Sequence, residues 1–256
     1  MMYPMKNYQL LAFLLFSSQI LGQPFIGQRE ITNYEKKKYN AGTQNWQIQQ
    51  DKQGRMYFAN NEGVLSFDGN YWALYPLPNK TIVWSIEMAN NKLFVGGQDE
   101  IGYLSPNDGG QLVFHSLKSL LDESDQKFAD IWNIVHVGED IFFRSISRLF
   151  KWNKGKMKVY QPSSTWLFLG KFQNKVIAHD ETRGIMMYKN GNWEVFIKKQ
   201  DLPENFYITS ISDYTQGSSI ITTSKNGLFQ LTEEGVKTLT IKGVNNNQHF
   251  TSVVKI

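Results

Sequence analysis

The side chains in this sequence that could do chemistry are few, and their spacing decides most of them. Adjacent acids occur at Asp99-Glu100, Asp122-Glu123 and Asp180-Glu181. Two carboxylates can cleave a glycosidic bond when they face each other across a cleft. Neighbours on one loop do not show that geometry, and solvated loop charge is the plainer reading. His115, His136, His179 and His249 stand singly, which reads as strand or surface histidine rather than a metal set. There is no Gly-x-Ser-x-Gly elbow, no Gly-rich phosphate loop and no His-Glu-x-x-His. No catalytic residue, metal site or cofactor is expected of this segment.

Binding groups are better represented. One set is Asn60-Asn61-Glu62, Gln98-Asp99-Glu100, Arg144-Ser145, Asp180-Glu181-Thr182-Arg183 and Ser224-Lys225-Asn226. A second is Gln44-Asn45-Trp46, Asp130-Ile131-Trp132, Trp166 and Tyr207. From these, the ligand-binding candidates are Gln44, Asn45, Trp46, Asn60, Asn61, Gln98, Asp99, Glu100, Asp130, Trp132, Arg144, Asp180, Arg183 and Lys225. Aromatic faces with amides and charges suit a sugar-like or other polar ligand: rings stack and amides fix orientation. The competing reading stays open. Trp46, Trp84 and Trp132 occupy equivalent positions and could be bulky packing residues, and the polar groups could be ordinary solvated loop.

What positions these residues is a repeat. First-strand anchors at Trp46, Trp84, Trp132, Leu167, Thr209 and Thr251 are spaced by 38, 48, 35, 42 and 42 residues. The long second interval holds a polar insertion from Ser116 to Lys127. A second register agrees: Gly63-Val64-Leu65, Gly102-Tyr103-Leu104, Ser147-Arg148-Leu149, Gly184-Ile185-Met186 and Gly227-Leu228-Phe229. Apolar residues alternate or run briefly between Gly, Asn and Asp, the pattern of half-buried strands. Four short strands per period of about 40 to 45 residues define a propeller blade. The fold class is therefore all-β, a β-propeller of four-stranded blades. Blades are expected at about 43–80, 81–127, 128–163, 164–206 and 207–249, with the start of a sixth strand set at 250–256. The Gly before each third strand is expected at positive φ. Helical turns are expected only in Ser116–Ser124 and Lys198–Asn205. The first and third connections are tight and share a face, so the ligand face is expected on the other, among the second connections and blade links.

A chain of 256 residues can bury a large core, and its formal charge of +4 shows no basic stripe. Lys36-Lys37-Lys38 and Lys198-Lys199 are short runs, so no nucleic-acid partner is expected. The absence of cysteine excludes disulfides and a Cys-ligated zinc. At the N-terminus, Lys6 precedes the apolar stretch Leu10–Phe16, and Gly22 is a small residue suited to cleavage. This reads as a signal peptide over 1–22, followed by a lead-in over 23–42. The mature segment is expected to be exported.

Longer stretches carry a family resemblance. Gly22–Ile26, Tyr34, Tyr39–Trp46, Tyr57–Asn61, Phe67–Gly69, Leu77–Val83, Val95–Tyr103 and Phe128–Trp132 resemble the opening of regulator-propeller sensors. These are periplasmic input domains of hybrid two-component histidine kinases and of LuxR-type regulators with a triple-tyrosine domain. The resemblance implies seven blades, then a triple-tyrosine domain, a membrane helix that anchors the protein, and a kinase or helix-turn-helix output. Against that pattern this chain is expected to be a fragment or a broken gene product. Trp84 stands where the resemblance leads one to expect Arg. A sensor reading follows, with a small-molecule or glycan ligand and a homodimer as its implied partners. An exported carbohydrate-active enzyme and a pure protein-interaction platform remain alternatives.

Overall fold

The computed structural model of the chain describes residues 31–244 and 248–253. The expected signal peptide at 1–22 lies outside the described residues, as do 23–30 and 254–256. Residues 31–35 carry no regular element; the unit Lys36–Ile256 holds every strand.

That unit begins with α1 (Lys36–Tyr39), a single turn that sequence reading missed. Five four-stranded antiparallel meanders follow. The first contains β1 (Asn45–Gln50), β2 (Met56–Asn60), β3 (Gly63–Phe67) and β4 (Trp72–Tyr75). The second contains β5 (Val83–Ala89), β6 (Lys92–Gly97), β7 (Ile101–Pro106) and β8 (Leu112–Ser116). The third contains β9 (Asn133–Val137), β10 (Asp140–Arg144), β11 (Leu149–Asn153) and β12 (Lys156–Tyr160). The fourth contains β13 (Trp166–Phe172), β14 (Lys175–Asp180), β15 (Gly184–Lys189) and β16 (Asn192–Lys198). The fifth contains β17 (Ile208–Asp213), β18 (Ser219–Thr223), β19 (Leu228–Thr232) and β20 (Gly235–Thr238). The innermost strands β1, β5, β9, β13 and β17 neighbour one another in chain order, the arrangement of propeller blades around an axis.

The expected polar insertion forms two 3-10 turns, Lys118–Leu120 and Glu123–Asp125, and a third turn at Lys199–Asp201 closes the fourth blade. Residues 248–253 form no strand, unlike the first strand expected there. They nonetheless begin as a blade link does. Phe250 N–H donates to the Thr223 carbonyl at 3.4 Å, as Ile131 N–H donates to Gly97 at the matching place in blade two.

Packing follows from the strand period of two, which sends neighbouring side chains to opposite faces. Val95 packs in the cluster between blades one and two, whereas adjacent Phe94 packs between blades two and three. Phe143 and Phe142 split the same way across blade three, and Ala178 and Ile177 across blade four. The middle strands are thus apolar on both faces. Each buried Phe contributes about 1.5–3 kcal/mol relative to exposure.

Glycine at the start of the third strand serves two different ends. Gly184 lies at φ +99°, and a Cβ there would meet the Ile197 carbonyl oxygen at 2.3 Å. Gly102 has ordinary φ, so the positive-φ expectation fails there. It is small because a Cβ would meet the His115 carbonyl at 2.4 Å and Phe114 Cζ at 2.4 Å. Gly184→Ala combines backbone strain with backbone overlap and is expected to cost at least ~2 kcal/mol. Chemical denaturation measures it; an unchanged midpoint would contradict this account.

Candidate functional site

The start of the innermost strand carries an irregularity in blades one, two, four and five. Register shifts fall between Asn45 and Gln47, Val83 and Ser85, Trp166 and Phe168, and Ile208 and Ser210. The skipped residues are Trp46, Trp84, Leu167 and Thr209, the same anchors that define the repeat. A bulge leaves one residue out of the ladder and re-aims its side chain. In blades one and two that residue is tryptophan. In blade three Trp132 stands just before β9, its N–H bonded to the Arg144 carbonyl at 2.9 Å.

The three indoles form a ladder. Ring centroids of Trp46 and Trp84 are 4.4 Å apart, and those of Trp84 and Trp132 are 4.6 Å apart. The first indole nitrogen donates to Asn61 Oδ1 at 2.8 Å and the second to Asp130 Oδ1 at 2.8 Å. Trp46 remains 41% exposed, so the ladder opens to solvent. The ladder brings together Trp46, Asn61, Asp130 and Trp132 from the sequence candidates. It also places at its centre Trp84, which that reading treated only as a packing residue and a departure. The signal was available: Trp84 shares the register of Trp46 and Trp132.

Other candidates turn out to hold blade links. Asn60 is fully buried. Its Oδ1 accepts from Gly42 N–H at 3.0 Å and Glu62 N–H at 3.0 Å. Its Nδ2 donates to the Gly42 carbonyl, the Gln44 carbonyl and Asn45 Oδ1 at 2.7, 3.1 and 2.8 Å. Asp99 Oδ1 accepts the N–H groups of Phe128 and Ala129 at 2.9 and 2.8 Å, and its carbonyl takes Lys118 Nζ at 2.8 Å. Glu100 is buried and bonds Ser116 Oγ at 2.7 Å. Asp180 is fully buried; it accepts Ser163 N–H on one oxygen and Thr182 and Arg183 on the other. Burial alone would raise its pKa, but these bonds outweigh burial and hold it below the usual carboxylate range. The leading acid of two adjacent pairs is therefore a turn-holding group.

Arg144 occupies in blade three the position of Asn60 and Asp180, the last residue of the second strand. Its Nε donates to Asn133 Oδ1 at 2.6 Å and its Nη1 to the Trp166 carbonyl at 2.7 Å. Burial pushes its pKa down to about 9. Trp166 belongs to the core rather than the mouth, with 1% exposure. Gln44, Asn45, Gln98, Arg183 and Lys225 are exposed, with Gln98 bridging to Asp130.

On the opposite face, that of the tight turns, a cleft of about 660 Å³ opens between blades one and two. The longer-connection face expected to hold the ligand carries the tryptophan ladder instead of this cleft.

The described residues thus define a propeller of four-stranded blades with an aromatic mouth. No family model matches the sequence, and no curated protein matches it. Among solved structures, the chain is similar to the extracellular domain of BT3049 from B. thetaiotaomicron, described as a hybrid two-component system. That likeness has a TM-score of 0.60 at 15% identity, over 89% of this chain and 31% of the other. The extracellular domain of BT4673 from the same organism, described in the same way, gives 0.58 at 18% identity over 77% and 27%. The WD40 propeller domain of Doa1 gives 0.53 at 13% identity over 75% and 67%. At these identities the likeness carries the fold, and the chain spans less than a third of the two extracellular domains. Among the described residues no helix is long and apolar enough to cross a membrane.

Proposed function

We propose that this chain is the sensing propeller of an exported signalling receptor, and that it reads a sugar-like polar ligand at the tryptophan mouth. One observation carries the reading. Bulges lift Trp46 and Trp84 out of their sheets and set them, with rings tilted by 54° and 36°, in an open ladder with Trp132 instead of burying them between blades. Two of the indole nitrogens are held by Asn61 and Asp130, which fixes the ring planes before any ligand arrives. Preorganised aromatic faces bind the C–H faces of sugars, while Asn61, Asp130 and the exposed amides of Asn45 and Gln98 select hydroxyl positions. Likeness to extracellular domains of two-component systems supports the receptor context and the export that the N-terminus implies. Signal transfer then requires a ligand with unequal affinity for two arrangements of the whole receptor.

Trp84→Ala tests the site. It removes the central ring and leaves the blade cores intact. Affinity for whichever member of a neutral and acidic oligosaccharide panel binds the chain is expected to fall roughly tenfold to a hundredfold, as for loss of an aromatic hot spot. Titration calorimetry reads the affinity, and thermal unfolding of the same variant checks folding. A panel in which no oligosaccharide binds, with a protein partner captured instead, would favour the interaction-platform reading.

A further inference from the structure

The cleft on the tight-turn face has a lining unlike the mouth. Its floor is apolar, formed by Met88, Leu93, Leu104 and Leu112, and its walls carry Arg55 and Tyr57. A volume of about 660 Å³ falls within the range of small-molecule sites. The charges around it are not balanced in use. Asp51 Oδ1 accepts the N–H groups of Gln53 and Arg55, both at 2.9 Å, and Oδ2 accepts the Tyr57 hydroxyl at 3.2 Å. His136 also lines the cleft, its Nδ1 meeting Glu87 Oε1 at 2.7 Å, while Glu87 Oε2 accepts from Gln49 Nε2 at 3.2 Å. Both acids are committed within the protein.

The cations are not. Among the described residues neither Arg55 nor Lys52 has a carboxylate within salt-bridge distance. Burial alone would lower the pKa of Arg55, but Tyr57, Tyr75 and Asp51 beside it hold it above its ordinary value. A guanidinium carries five N–H donors in a fork that matches a carboxylate. Guanidinium donors that enter no salt bridge, beside an apolar lining, suit an anion with an apolar body.

We infer that the cleft between the first two blades is a second ligand site, for small organic monocarboxylates, with Arg55 clasping the carboxylate, Lys52 at the rim and Met88 and Leu104 beneath the hydrocarbon. This site lies on the face opposite the tryptophan ladder and does not depend on the reading of the mouth.

Titration calorimetry on the whole chain tests it with phenylacetate, 4-phenylbutyrate and hexanoate against their neutral amides. The acids are expected to bind at about 1 mM or tighter, with each amide at least ~10-fold weaker. Arg55→Gln should erase the preference for acid over amide, and Trp84→Ala should leave it unchanged. Lys52→Gln, on an exposed turn, provides a second variant expected to weaken the acids and flatten their salt dependence. The inference is overturned if none of the acids binds, if amides bind as well as acids, or if the acid preference survives Arg55→Gln. Should Arg55→Gln fail to fold, an acid affinity that is indifferent to both Lys52→Gln and salt overturns it equally.

Discussion

Acidification from pH 6.5 to pH 4 is expected to remove about 3 kcal/mol of folding stability through one histidine. His179 on β14 is fully buried, and neither ring nitrogen has a hydrogen-bond partner. Burial lowers its pKa to about 4, Lys199 adds to the fall, and Asp180 only partly offsets it. The native state therefore holds the ring neutral, edge-on to Phe206 at 6.3 Å. The unfolded chain protonates near the ordinary value of 6.5, so between pH 6.5 and 4 the unfolded state binds more protons and gains on the native state. The loss is complete once pH falls below the native value. Urea denaturation from pH 7 to pH 4.5 measures it. His179→Leu keeps an apolar side chain there and should flatten the profile over that window. A wild-type midpoint that does not move, or a variant that keeps the wild-type slope, would falsify this assignment.

Asn60→Ala is expected to cost about 3 kcal/mol and leave ligand affinity at the mouth unaltered in the fraction that folds. The side chain ties the segment before β1 to the end of β2 through Gly42, Gln44 and Asn45. Its removal strands the N–H and carbonyl of buried Gly42 without partners, and an unmade buried bond costs more than a made one contributes. Asn60→Asp separates charge from geometry: it keeps the acceptor at Oδ1 but replaces three donated bonds with oxygen facing oxygen. It should destabilise as much as alanine. Denaturation midpoints compare the two, and calorimetry with a mouth ligand checks the second half of the expectation. A stable Asn60→Ala variant with lost binding would restore Asn60 to the ligand set.

The propeller was legible because every blade repeats the same alternation, and one error of register would have broken five copies at once. The site was legible only in part. Trp46 and Trp132 looked alike as packing or binding residues because composition does not show a bulge. The ladder pairings show that the skipped residue leaves the sheet, and Trp84 follows by equivalence. Polar loop residues misled in the other direction. Asn60, Asp99 and Asp180 were read as free groups, yet short Asn and Asp side chains bond nearby backbone and shape turns. Asn60-Asn61-Glu62-Gly63 and Asp180-Glu181-Thr182-Arg183-Gly184 carry that signature, with glycine closing each turn. The cleft was invisible because Asp51 comes from a turn and Tyr57, Met88 and Leu104 from three separate strands that only blade packing brings together.

The indole ladder has an optical consequence. Three chromophores with centroids 4.4 and 4.6 Å apart do not absorb and emit independently. Their transition dipoles couple, excitation passes along the stack, and the tilt between rings gives the coupled transitions rotational strength in the near ultraviolet. Anything that settles on the exposed face of Trp46 or turns Trp84 by a few degrees changes that coupling. The protein carries its own spectroscopic label at the surface where its ligand is proposed to sit.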